Sequence, residues 1–343
     1  MPDRPNDRTV SELRRRDLIG GAVAAGSGIE AGSPPSAAET RPLLPIRNDT
    51  ELEIALPDLS NWHRWGTDDQ LGTLNFITPQ TRLAAAGLIR TGRVVPLGRE
   101  ISTATPNLRN FSYRMVRYTD PQPQEAGAYD VVGMTCHGFA VTHVDALCHV
   151  FTPDGRNGMY NGYPVDDVTP NGARRLGIEH VGAVGIVGRG VLLDIAALYG
   201  EPLPLGTAIT PQQLEAAERL HNVRAGEGDI VFVRSGAGPH NTFQLGTGLH
   251  PACLAWLHAR RVAVLGRDAD SDVHPPAAGF VRWSEPIHMV GIPYIGLTLL
   301  EHAELDALSL ACAEEKRWSF FVTASPWRFK GATGSAVNPL ALF

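Results

Sequence analysis

The sequence predicts an α/β or α+β chain, a single domain built around a mixed sheet or barrel, and three observations carry that reading. Apolar β-type runs are interleaved with capped helical segments at irregular intervals, which suits neither a helical bundle nor a regular βα repeat. Gly and Pro number 36 and 26 among 343 residues, so turns and ordered loops must be frequent. Composition becomes globular after Pro45 and stays so to Phe343, with no linker, repeat or low-complexity block to divide it.

Residues 1–45 are set apart as a leader expected to be disordered and to add nothing to the fold. Arg14-Arg15-Arg16-Asp17-Leu18-Ile19, the weakly apolar stretch Gly20 to Ile29 and the small residues Ser33 to Ala38 resemble a twin-arginine export signal. The alternative is a leader with no address. The chain is therefore expected in the cytoplasm, or exported if the signal works. In the domain at 46–343, Thr78-Pro79 places a capping hydroxyl before a first-turn proline and predicts a helix over 79–90. Val94 to Leu97, Val131 to Met134 and Val181 to Ile195 read as strands. Thr210-Pro211-Gln212-Gln213 is a capping box and predicts a helix over 211–222. Ile230 to Val233 is a strand, His250-Pro251 opens a helix over 251–260, and Val262 to Leu265 is a further strand.

Composition removes several function classes. With 43% apolar and 19% charged residues the chain is neither wholly disordered nor fibrous. Its net charge is −6 and its basic residues are scattered, which argues against nucleic acid as a partner. No run of 18 apolar residues occurs, so no membrane-spanning helix is expected. Cys136, Cys148, Cys253 and Cys312 are too few and too dispersed for a disulfide framework, and they read as reduced thiols.

The densest group of ligand-type residues lies between His137 and His149, where three histidines and an aspartate fall together. His143 and Asp145 are two apart, so on a strand both face one way, with Cα atoms roughly 6.6 Å apart and able to share a cation. His149 returns to that face if the chain turns helical at Ala146. Six residues of straight strand would carry His137 ~20 Å from His143, so it joins them only if the chain bends at Gly138. A histidine in a Val-rich strand is usually a hydrogen-bonded core residue, but four such residues with compatible facing need a common cause, and a metal site supplies it. Zinc and manganese both accept imidazole with carboxylate.

A second candidate lies near the C-terminus, in Pro286-Ile287-His288-Met289-Val290-Gly291-Ile292-Pro293 running on to Leu299-Leu300-Glu301-His302. Glu301 ends an apolar run, where an unpaired buried carboxylate would be costly, or else begins the polar loop Glu301 to Glu304; spacing does not decide between them. Other chemistries lack support. No Gly-x-Ser-x-Gly elbow is present. Ser235-Gly236-Ala237-Gly238 runs on to Asn241 where a dinucleotide fingerprint needs a third glycine. Cys148 and its neighbour His149 would face opposite ways on a strand, and a small apolar cysteine suits a core.

The stretch His137 to His149 with its Thr142-His143-x-Asp145-x-x-x-His149 motif, Arg64 to Asn75, Gly190 to Asp194 and Gly331 to Ser335 together resemble the cyclase family of metal-dependent hydrolases, the group of kynurenine formamidase and isatin hydrolase. The resemblance covers about residues 60–343. It implies an α/β fold of the swivelling β/β/α type, a divalent metal (zinc or manganese) and hydrolysis of an amide C–N bond by metal-activated water. The substrate expected is an aryl formamide, a lactam or a similar small cyclic or aromatic amide. By the same resemblance His143 and Asp145 match metal ligands, His149 the catalytic acid/base, and His288 with Glu301 the downstream ligand pair. Short members place a histidine four before the one matching His143; here that position is Phe139, so either the loop delivers His137 instead or one ligand is missing. The downstream pair is thirteen apart, one more than in kynurenine formamidase, which places the chain in the family's longer branch. Trp65 and Phe139, with Trp62 and Trp283, are candidates for a pocket around a planar ring. A homodimer or larger homo-oligomer is expected. A metal-assisted lyase or cyclase and a non-catalytic metal-binding protein are the alternatives.

Overall fold

Four apolar runs in the second half of the chain are too uniformly hydrophobic to face water on either side, and they fix the architecture. A computed structural model describes residues 45–106, 108–119, 126–153 and 158–343. Nine strands form the main sheet: β1 Val94–Pro96, β2 His143–Asp145, β3 Ile186–Asp194, β4 Ile230–Arg234, β5 Val264–Arg267, β6 Thr298–Glu301, β7 Ser319–Ala324, β8 Gly334–Ala336 and β9 Leu340–Leu342. Their order is β1-β9-β7-β3-β4-β5-β6-β2-β8. β3, β4, β5 and β6 are mutually parallel, and the flanking pairs are antiparallel. Ile230, Val231, Phe232, Val233, Val264, Leu265, Leu299 and Leu300 are all wholly buried, as strands covered on both faces must be. On β7 only Phe320, Val322 and Ala324 turn inward, the alternation of a strand with one covered face. The result is the expected mixed α/β domain, its sheet curled as half a barrel and open between β1 and β8.

The helices pack against this sheet by the stripes their sequences carry. Pro211–Leu220 buries Pro211, Leu214, Ala217 and Glu218, a single face at helical spacing. Its capping box forms as read, Gln213 Oε1 accepting from the Thr210 backbone N–H at 2.8 Å. Asn222, in the left-handed region with φ 46°, stops it two residues short of the expected end. Pro79–Ala86 is likewise capped by Thr78, packs on β3 and ends at Gly87 rather than at 90. The helix expected over 251–260 starts at Cys253, and the strand expected from Val262 starts at Val264.

Two expectations are corrected. Val181 belongs to the helix Ile178–Val184, where it shares a buried face with Ile178; the strand begins only at Ile186. Val131 lies in Ala126–Gly133, which pairs with Ser112–Thr119 as a two-stranded hairpin outside the main sheet and ends before Met134. The described residues from 45 onward form one compact unit. Of the leader expected at 1–45, residues 1–44 lie outside the described residues. No helix among the described residues is long and apolar enough to cross a membrane.

Candidate metal centre

The site begins with strand register. β2 lies between β6 and β8, which places His143 opposite Glu301 and Asp145 opposite Gly334. A three-residue strand of alternating faces puts His143 and Asp145 on one side, and β6 delivers Glu301 beside them as its last residue. Glu301 is thus a buried strand residue, not the start of a loop. The chain bends at Gly138, whose φ of 130° is open to glycine. That bend lays His137 against β8, where a Cβ at Gly334 would come within 2.7 Å of the His137 ring.

Each imidazole is oriented from behind. The Val141 carbonyl accepts from His143 Nδ1 at 2.8 Å, so the proton sits there and the lone pair is on Nε2. That Nε2 lies 3.5 Å from Asp145 Oδ1. His137 Nε2 is bonded to Thr333 Oγ1 at 3.0 Å, and its Nδ1 approaches Asp145 Oδ1 to 2.9 Å. His288 comes from the short helix Pro286–Val290, whose first-turn backbone N–H groups at Ile287 and His288, without partners inside the helix, bond the Asp272 carboxylate at 2.8 and 3.0 Å. The same carboxylate accepts from His288 Nδ1 at 2.7 Å. His288 Nε2 then faces Glu301 Oε1 at 3.4 Å and Asp145 Oδ2 at 3.6 Å. Glu301 Oε1 is held by the Ser271 backbone N–H at 2.8 Å.

Two ligand sets result, His137 with His143 and Asp145, and Asp145 with His288 and Glu301, each with its ligand atoms within 4.8 Å of one another. Both Asp145 oxygens and His137 Nδ1 are buried without a hydrogen bond. The 2.9 Å His137–Asp145 approach is therefore a contact that lacks hydrogen-bond alignment. Buried polar atoms left this way are costly, and a shared divalent cation satisfies all three. The residues fit a metal.

The electrostatics agree. Burial by itself would raise the Asp145 carboxyl, but the imidazoles of His149, His137 and His143 hold it well below the usual carboxylate range. Burial pushes His149 down to about 4 against the pull of Asp145, so its imidazole is neutral at pH 7. For His288 burial is outweighed by Glu301, Asp272 and Asp270, which hold its proton well above the usual imidazole value. A proton and a metal ion compete for the same Nε2.

His149 arrives by a route other than the expected helical turn. Its backbone N–H closes a tight turn onto the Ala146 carbonyl, while the Ala146 N–H bonds the Thr333 carbonyl. The His149 ring stacks on His137 with centroids 3.7 Å apart and planes 4° from parallel. Phe139 lies against His302 at 5.0 Å and Phe243 at 4.3 Å, at the edge of the cluster. Trp65 instead packs edge-on against Phe76, with Arg64 over its face. Trp62 and Trp283 ring contacts run to Tyr294.

Sequence reasoning missed Asp270, Asp272, His274, His302 and Thr333. A signal for the first three was present. Asp268-Ala269-Asp270-Ser271-Asp272-Val273-His274 follows directly on β5, and the carboxyl ends of parallel strands are where α/β sheets place ligands.

The family profile described as "Putative cyclase" matches residues 72–271. No curated protein matches. Among solved structures the chain is similar to a protein described as a novel cyclase, with 29% identity and a TM-score of 0.74 over 83% of this chain and 99% of that one. It also bears a likeness to isatin hydrolase A from Labrenzia aggregata, with 20% identity and a TM-score of 0.49 over 77% of this chain and 98% of that one.

Proposed function

The chain belongs to the Cyclase family, and we propose that it is a metal-dependent hydrolase cleaving the C–N bond of a small cyclic or aromatic amide, such as an aryl formamide or a lactam. One observation supports the reading most. Four buried or half-buried ligands, His137, His143, His288 and Glu301, converge around an Asp145 carboxylate that has no hydrogen bond of its own, and a neutral imidazole, His149, stands one ring away.

His143, Asp145, His288 and Glu301 would hold the metal, with His137 completing the set; zinc and manganese both suit these donors. When bound, such a cation supplies a Lewis acid that polarises a carbonyl and brings the pKa of water from 15.7 to about 7. The chain's own residues do the rest. Val141, Thr333 and Asp272 fix the ring orientations of His143, His137 and His288. Such outer partners raise ligand basicity. His149 takes a proton from the attacking water and returns it to the leaving nitrogen, a role that needs an imidazole uncharged at the start of the cycle. Phe139 and Phe243 offer apolar faces to a planar substrate.

The test is turnover by metal-reconstituted protein against a panel of aryl formamides, lactams and simple amides. A substrate found there should be hydrolysed about 10²- to 10⁴-fold more slowly by His149→Ala, with metal content unchanged. Normal turnover by His149→Ala would end its assignment as acid/base.

A further inference from the structure

We propose that Arg109 determines specificity at the mouth of the site, selecting amides whose ring carries a carboxylate on the side away from the scissile bond. The proposal rests on the hydrolase reading and names its substrate class. Arg109 reaches the mouth from the base of the hairpin formed by Ser112–Thr119 and Ala126–Gly133. Two hydrogen bonds close that base: the Thr135 N–H donates to the Arg109 carbonyl at 2.9 Å, and Asn110 Nδ2 donates to Thr135 Oγ1 at 2.8 Å. Thr135 lies two residues before His137, so the same closure ties Arg109 to the segment that carries a proposed metal ligand.

The Arg109 stem runs over Gly138, its Cδ 3.3 Å from the place a Cβ would take. From there the guanidinium carbon stands 5.9 Å from the centre of the Phe243 ring, within cation–π range. Phe243 meets Phe139 edge-on at 4.3 Å, Phe139 meets His302 at 5.0 Å, and His302 stacks on His143 at 5.9 Å. One line of rings therefore joins a cation on the outside to a ligand imidazole within.

Nothing in the chain neutralises that cation. Among the described residues Arg109 forms no hydrogen bond and no ion pair, although a guanidinium offers five donors. Arg99, by contrast, is engaged: it donates to the Phe139 carbonyl at 2.8 Å and to the Asp268 carbonyl. Phe243 is 49% exposed, so its face and the guanidinium over it are open to a ligand. Behind Phe139 lie the buried carboxylates of Asp145, Asp270, Asp272 and Glu301, which repel an anionic substituent from the interior and favour it at the mouth. A planar ring laid against Phe139 and Phe243, its amide turned toward the metal ligands, presents its far edge to Arg109. A carboxylate there takes two parallel N–H···O bonds from the guanidinium fork.

The experiment is isothermal titration of the metal-reconstituted full-length chain with acetophenone and with 4-carboxyacetophenone, aryl ketones that have no C–N bond to cleave. Wild type, Arg109→Met, Arg109→Lys and Arg114→Met are compared. Wild type should bind the carboxylated ketone about 10-fold more tightly than the plain one. Arg109→Met, which keeps the stem over Gly138, should erase the preference, and Arg109→Lys, which keeps the charge without the fork, should restore part of it. Arg114→Met, at an exposed arginine on the same hairpin, should retain it in full and so separates a specific grip from general charge. No preference in wild type, or a preference that survives Arg109→Met, would overturn the proposal. Failure of the whole amide panel to be hydrolysed would count against the hydrolase reading alone, because the ketone titration still decides whether Arg109 grips a carboxylate.

Discussion

Asp272 accepts three hydrogen bonds at once, two from His288 (its backbone N–H and Nδ1) and one from the backbone N–H of Ile287 beside it at the helix start. This fixes the proton on Nδ1 and points Nε2 at Asp145 and Glu301. A carboxylate behind a ligand histidine typically carries 10- to 100-fold in metal affinity. Asp272→Asn should therefore weaken metal binding about 10- to 100-fold by competition titration while the protein stays folded. Unchanged affinity would mean that the backbone bonds alone hold the ring.

Gly334 leaves the space that His137 fills. A methyl there would stand 2.7 Å from the His137 ring and 2.8 Å from the Val144 carbonyl, on a strand that cannot easily retreat. Gly334→Ala should lower stability by about 1–3 kcal/mol and weaken metal binding in the same variant. Loss of stability with full metal affinity would show that His137 is not a ligand.

These two relationships mark how far the sequence could be read. His143 and Asp145 were legible because a strand repeats every two residues, and the bend at Gly138 was legible as the condition for His137. Glu301 was not decidable, since its burial depends on β2 pairing beside β6. His302 escaped because its ring neighbours His143 and Phe139 meet it only in the folded chain. Val181 was misread for a related reason: an apolar run beside Gly185 satisfies helix and strand patterns alike, and packing of Ile178 with Val181 chose the helix.

Thiol chemistry offers an independent check of the core. Burial pushes the Cys148 and Cys312 thiols up to about 12, and raises Cys253 as well. Cys136 alone is half-buried. A disulfide reagent at pH 8 should modify Cys136 in the native chain and all four thiols after denaturation. Rapid native labelling of Cys148 would contradict the burial of the turn after β2 that carries His149.

Asp229 gives a pH signature. Burial raises its carboxyl to about 6 despite the Arg189 guanidinium at 2.8 Å. A carboxyl raised on folding binds its proton more tightly in the native state, so its contribution is full below the unfolded value near 4 and is lost as pH rises through 6. Relative to Asp229→Asn, the wild type should lose roughly 2–3 kcal/mol of unfolding free energy between pH 4 and 7. Parallel stability curves for the two proteins would refute the shift.

The central claim is that Asp145 and the imidazoles around it hold a divalent metal. Metal content of the purified full-length chain, measured by inductively coupled plasma mass spectrometry after reconstitution with zinc or manganese, tests it most directly. Wild type should retain the ion through gel filtration, and a folded His143→Ala, Asp145→Ala double variant should lose the ion those two residues hold. Equal metal in the two proteins would contradict the account.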